Sequence, residues 1–277
     1  MIGDIRTLAA EAAAEGRGLG AFNVVLLEHA EAFVGAAEEA GLPVVLQVSQ
    51  NAVKYHGRLA PLGLAVIELA RGASVPVVPM LDHAEDLDLC REAVELGFPS
   101  IMYDGSKLDD DANRASTAEI TAWCHERGVA VEAELGEVGG KDGVHDPSAR
   151  TAPADAAQFV ADTGVDLLAV AVGSSHAMTS RDAVLDNELI AAIHEVVPVP
   201  LVLHGSSGVS DAGMRAAIGA GITKVNVSTH LNKVATAATR EFLDANPKAV
   251  DPRKYLAPGT TAAAGEMGRL LRLYAGR

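Results

Sequence analysis

The chain has 277 residues, 49% of them hydrophobic, with 27 glycines and a formal net charge of −15 at pH 7 from 22 basic and 37 acidic side chains. A field of that sign disfavours nucleic acid and anionic membrane as partners, and no stretch is long and apolar enough to span a bilayer. Length and core fraction suit one α/β barrel of the (β/α)8 (TIM) type, and nothing marks a boundary, so residues 1–277 are expected to form a single domain. Cys90 and Cys124 each fall in a helix-like stretch, which reads as reduced thiols in the cytoplasm. The N-terminal MIGDIRTLAAEAAAEGRG carries acids without a continuous apolar core and is not expected to be a signal peptide.

Strand and helix patterns alternate along the chain. A helix over 4–15 precedes a strand at 19–24. Further strands are predicted at 43–49, 75–82, 99–104, 129–136, 166–173, 199–204 and 222–227. Their Val, Leu and Ile run with little alternation, as parallel strands covered on both faces should. The helices that follow each strand are predicted at 28–40, 61–71, 87–96, 109–127, 153–162, 187–196, 211–219 and 229–246, and a helical tail at 261–274. Glycines at 41, 72, 97, 128 and 164 are expected left-handed caps. Eight such units are what a closed barrel needs, with an open doubly wound sheet as the competing architecture.

In barrels the chemistry sits at the C-terminal ends of the strands. The polar residues fall there: Asn23 on the first strand, Ser49 on the second, Asp82 and His83 on the third, Asp104 on the fourth, Glu134 on the fifth, His176 after the sixth, His204 on the seventh and Asn226 on the eighth. His83, His176 and His204 each stand where an apolar run gives out. Three imidazoles from three strand mouths can hold one metal with a position left open; nitrogen ligands favour Zn²⁺, with Fe or Co as alternatives. Asp104 and Glu134 can line a second divalent position or bond at the barrel rim. Asp82 is read as a general acid/base. Strand neighbours point to opposite faces, so Asp82 and His83 can share a pocket only if the strand breaks into loop between them.

The loops after strands seven and eight, Gly205-Ser206-Ser207 and Asn226-Val227-Ser228-Thr229, each lead into a helix, as barrel phosphate sites do. The glycine-rich stretch after strand five reads as a lid, with Glu137, Lys141 and Asp142 as the groups it can deliver. Glu132 shares a strand face with Glu134, and Lys224 with Asn226. A lone buried carboxylate is costly, so Lys224 is expected to neutralise Glu132 inside the barrel.

These motifs, AFNV, QVS, Asp82-His83, Asp104, VEAELGEVGG, His176, LVLHGSSG, KVNV and DPRKYL, together resemble the class II, zinc-dependent fructose-bisphosphate and tagatose-bisphosphate aldolases over nearly the whole chain. The resemblance implies reversible aldol cleavage of a phosphorylated ketose to dihydroxyacetone phosphate and an aldehyde. It also implies a catalytic Zn²⁺ on His83, His176 and His204, and a second metal position at Asp104 and Glu134. Proton exchange with the C4 oxygen falls to Asp82, a Na⁺ or K⁺ ion lies near the phosphate, and the assembly is a homodimer or homotetramer. The chain departs from the family pattern at several points. Ala177 stands where glycine usually follows the second zinc histidine. Ser228 stands where fructose enzymes have aspartate and tagatose enzymes more often alanine. Asn232 replaces a basic residue that often meets the distal phosphate, with Arg181 and Lys233 as substitutes, and Asp142 stands where glutamate is commoner. A ketose 1-phosphate or deoxy-ketose phosphate is therefore an alternative substrate. The competing classes are a metal-dependent hydrolase, a Schiff-base aldolase using Lys224, and a non-catalytic sugar-phosphate sensor.

Overall fold

The computed structural model describes residues 1–135, 150–175 and 181–277. Eight parallel strands, β1 (Leu19–Asn23), β2 (Val44–Ser49), β3 (Val77–Ala84), β4 (Ser100–Tyr103), β5 (Ala130–Leu135), β6 (Leu167–Val170), β7 (Leu201–Leu203) and β8 (Ile222–Val227), close into a barrel in sequence order. The ring is sealed by β8 pairing with β1, where Leu19 lies opposite Lys224 and Ala21 opposite Asn226. The closed barrel is the predicted architecture.

The strands bury two faces. Outward side chains such as Phe22, Leu46, Leu81, Ile101, Val131, Leu168, Leu203 and Val225 pack under the surrounding helices. Inward side chains Leu19, Ala21, Val45, Val78, Met80, Met102, Ala130, Leu167, Ala169 and Val202 form a separate core, closed from below by Ile5, Ala9 and Ala12 of helix α1 (Ile5–Ala14). Alternation along a strand then fixes which residues above that core look inward. Asn23 lies two beyond Ala21, Gln47 two beyond Val45, Asp82 two beyond Met80, Asp104 two beyond Met102, and His204 two beyond Val202. Glu132 and Glu134 follow Ala130 in the same way.

Helices α2 (Leu27–Ala40), α5 (Leu87–Leu96), α6 (Asp110–His125), α7 (Pro153–Thr163), α8 (Asn187–Val196), α9 (Asp211–Ala220) and α10 (Thr229–Ala245) stand close to the predicted positions. Two places differ. After β2 there are two helices, α3 (Gln50–His56) and α4 (Ala60–Gly72). Ser49 caps α3 by accepting from the Ala52 amide at 3.2 Å, and left-handed Gly57 ends it. The tail helix α11 (Pro252–Tyr274) starts nine residues before the predicted one, with Asp251 as cap, Pro252 in its first turn and Pro258 inside. Gly41, Gly97, Gly128 and Gly164 have the expected left-handed backbone. Gly72 does not, because α4 runs through it and ends on extended Ala73.

Candidate active site

The strand mouths surround a cavity of about 320 Å³ lined by Asn23, Ser49, Asp82, His83, Asp104, Gly205, Ser206, Ser207, Asn226, Ser228 and Thr229 among others. Asp82 is buried, and both its oxygens accept amide hydrogens: Oδ2 from Asn23 Nδ2 at 2.7 Å and Oδ1 from Gln47 Nε2 at 2.9 Å. Two neighbouring strands thus fix the carboxylate plane. Gln47 escaped the sequence reading, although a polar residue inside the apolar run VVLQVS is itself a signal of a buried partner.

Asp82 and His83 do share the pocket, but not through a break into loop. The strand continues to Ala84, the pairing with β4 shifts register between Leu81 and Ala84, and His83 adopts φ 47°. It is the one residue other than glycine with positive φ among those described. Such a backbone costs a side-chain-bearing residue on the order of 1–2 kcal/mol. The bulge re-aims a residue that plain alternation would turn outward.

His83 Nδ1 then lies 2.8 Å from Asp104 Oδ2, and Asp104 Oδ1 accepts from the amide and hydroxyl of Ser106. The His83 and His204 rings have centroids 4.6 Å apart. One ligand atom each from His83, Glu134 and His204 lie within 4.8 Å of one another, a donor set suited to a divalent cation such as zinc. Glu134, expected at a second metal position, offers an oxygen close to both histidines, while Asp104 lies against Nδ1 of His83. His176 and Ala177 lie outside the described residues, as do Glu137, Lys141 and Asp142.

His204 and both strand-five carboxylates are fully buried. Nδ1 of His204 is 2.7 Å from Glu134 Oε2 and Nε2 is 3.1 Å from Glu132 Oε1. Burial opposes charge on this ring, but the bonds to Glu132 and Glu134 outweigh it and lift its pKa to about 9. The predicted ion pair is present: Lys224 Nζ lies 2.8 Å from Glu132 Oε2, with both side chains fully buried. Burial would raise the Glu132 pKa; the Lys224 charge and the His204 bond overcome it and hold the carboxyl below its ordinary range. A lysine so engaged, also donating to Asn226 at 2.7 Å, is not disposed as an imine-forming nucleophile.

The two phosphate-loop candidates meet. Gly205 is left-handed, and a Cβ there would approach the Ser175 backbone to 2.7 Å, so the segment after β6 and the loop after β7 touch only because no side chain intervenes. Ser206 Oγ donates to the Asn226 carbonyl, Ser174 Oγ to the His204 carbonyl, and the His230 amide to Ser207 Oγ. Ser228 and Thr229 reach the cavity where α10 begins, and its cap makes no side-chain hydrogen bond. Val227 is buried and does not line the cavity. Of the expected substitutes for a distal-phosphate cation, Arg181 donates to Asp211 and the Val209 carbonyl, and Lys233 does not line the cavity. Among the described residues, the lysines lining the cavity are Lys54, on the unpredicted helix α3, and Lys107, paired with Glu85 at 3.1 Å.

Comparison with known proteins agrees with this geometry. Residues 4–276 match the family model described as fructose-bisphosphate aldolase class-II. A fructose-bisphosphate aldolase of Thermus caldophilus is 39% identical over 91% of each chain, and one of Giardia intestinalis is 35% identical over 93% of this chain and 88% of the other. The crystal structure of the YdjI aldolase from Escherichia coli K12 superposes with a TM-score of 0.88 at 31% identity, covering 99% of this chain and 97% of that one.

Proposed function

The chain belongs to the class II fructose-bisphosphate aldolase family, whose members are lyases acting on phosphorylated sugars, and on that premise we propose that it is a zinc-dependent aldolase. It splits a ketose (bis)phosphate of the fructose or tagatose type reversibly into dihydroxyacetone phosphate and an aldehyde. The observation that carries this reading is the group of His83, Glu134 and His204, close enough to share one ion, whose outermost member, His83, lines the same cavity as Asp82. His176 is proposed as a further ligand. A bound zinc ion supplies Lewis-acid stabilisation of the negative charge that develops on the ketose oxygens as the C3–C4 bond breaks.

The chain's own groups supply the rest. In the cleavage direction Asp82 takes the proton of the C4 hydroxyl, and in condensation it returns it. Asn23 and Gln47 keep its oxygens aimed during both transfers. Gly205, Ser206, Ser207, Ser228 and Thr229 hold the phosphate of the dihydroxyacetone half with backbone and hydroxyl donors at the start of α10. Asp104 orients the His83 ring through Nδ1.

Family membership also motivates a homodimer or homotetramer, a Na⁺ or K⁺ ion near the phosphate, and a single unit over 1–277. Two buried free cysteines fit a cytoplasmic setting, and no helix among the described residues is long and apolar enough to cross a membrane.

The test is a cleavage screen of fructose and tagatose bisphosphates, their 1-phosphates and a deoxy-ketose phosphate, with and without chelator. Cleavage of one of these, abolished by chelator and restored by Zn²⁺, is expected. Borohydride trapping of substrate on Lys224 with chelator-resistant turnover would reverse the assignment.

A further inference from the structure

Lys224 touches both halves of the site. Its Nζ lies 2.8 Å from Glu132 Oε2 and donates to Asn226 Oδ1 at 2.7 Å. Glu132 in turn meets His204 Nε2 through its other oxygen, while His204 Nδ1 faces Glu134 of the ligand set.

Two groups in this chain are ambiguous by chemistry: an imidazole has two tautomers, and an amide can be turned end for end. A lysine ammonium can only donate, and that removes both ambiguities. Asn226 must turn its oxygen toward Lys224. Its Nδ2, buried and without a hydrogen-bond partner, is then left as a donor on a residue that lines the cavity. Glu132, facing the ammonium on one side, accepts Nε2–H of His204 on the other. In the metal-free ring Nδ1 also faces a carboxylate, Glu134 Oε2 at 2.7 Å; with Nε2–H held by Glu132, the Nδ1 proton is the one a metal would displace, giving the carboxylate–histidine–metal arrangement that fixes a ligand's orientation.

We propose that Lys224 is a positioning residue for the aldol reaction: through Glu132 it selects the nitrogen that His204 offers to the metal, and through Asn226 it aims an amide donor at the substrate. This rests on the aldolase reading above. The competing account gives Lys224 no task beyond compensating a buried charge, which stability measurements alone would not separate from ours, since removing one partner of a buried pair destabilises in either case.

The experiment compares wild type, K224M and E132Q/K224M, the double variant leaving neither charge of the pair stranded should K224M fail to fold. Zn²⁺ alone is titrated against a chromogenic chelator, and kcat and KM are then measured at saturating Zn²⁺. The double variant is expected to melt near the wild type, to bind Zn²⁺ about 10–100-fold more weakly, and to lose kcat/KM even when loaded because the Asn226 amide is no longer held. A folded double variant with wild-type zinc affinity and wild-type kcat/KM would overturn the proposal while leaving the aldolase reading intact. Wild-type protein that binds no Zn²⁺, or cleaves no ketose phosphate when loaded, would defeat that reading and this one with it.

Discussion

The two ends of the barrel interior are built from the same eight strands and differ in kind. Below, Leu19, Val45, Val78, Met80, Met102 and Leu167 pack with Ile5 and Ala9 into an apolar plug. Two to four residues further along the same inward rows stand Asn23, Gln47, Asp82, Asp104, Glu132, Glu134 and His204, joined by Lys224 and Asn226 of β8, most of them buried. Strand direction does not change between the two layers; side-chain polarity alone does. The difference teaches that a barrel can hold its closure and its chemistry in one interior when the charged groups of the upper layer find partners, as Asp82 does in Asn23 and Gln47 and Glu132 does in Lys224 and His204, while single amide atoms such as Asn226 Nδ2 stay unmatched.

If the two layers are separable, changes in each should move different measurements. The largest effect is expected from Asp82→Asn, which keeps the side chain's shape and removes the proton acceptor. Steady-state cleavage by the zinc-loaded variant should fall by about 10³-fold, within the range of general acid–base contributions, while zinc content stays at the wild-type level. Ile5→Ala in the lower plug should do the reverse. It is expected to lower unfolding stability by about 2–5 kcal/mol, read by urea denaturation, with kcat/KM at 25 °C unchanged. Loss of zinc from the first variant, or of catalysis from the folded second, would erase the division.

A smaller effect belongs to the lower rim, where Arg6 of α1 reaches Asp166 at 2.7 Å. Burial would raise the Asp166 pKa, but hydrogen bonds from Arg6, the Val131 amide and His125 overcome it and hold the carboxyl below its ordinary range. A carboxylate depressed in the folded state adds stability in full above its unfolded value of about 3.9 and loses it as pH falls through the lower folded value. Asp166→Asn should therefore be less stable than the wild type at pH 7. The gap should close as urea unfolding is repeated below pH 4, with activity at pH 7 unaffected. A gap that persists at low pH would show that the bonds, not the charge, carry the contribution.

Much of this was legible in the sequence because both periodicities are clean. Apolar runs broken by glycine located the eight strands, and the count of two along KVNV and VEAEL was enough to place Lys224 against Glu132. The tail helix begins nine residues before the expected start because α11 runs through Pro258 from the Asp251-Pro252 start already present in DPRKYL. Helix α3 was missed because seven residues give too little pattern, and with it went Lys54 at the cavity edge. The bulge at His83 was beyond reach for another reason. Strand alternation is a rule about regular backbone, and only tertiary register between β3 and β4 says where it is suspended.

The left-handed backbone at residue 83 makes that position intolerant for two unrelated reasons. Glycine would thread the bend with less strain and bring no ring nitrogen; isoleucine or valine, branched at Cβ, would resist the bend itself. A saturation library at this codon, sorted once for soluble expression and once for turnover, should therefore return a set enriched in glycine from the first sort and a narrow subset centred on histidine from the second, without the residue the backbone would choose.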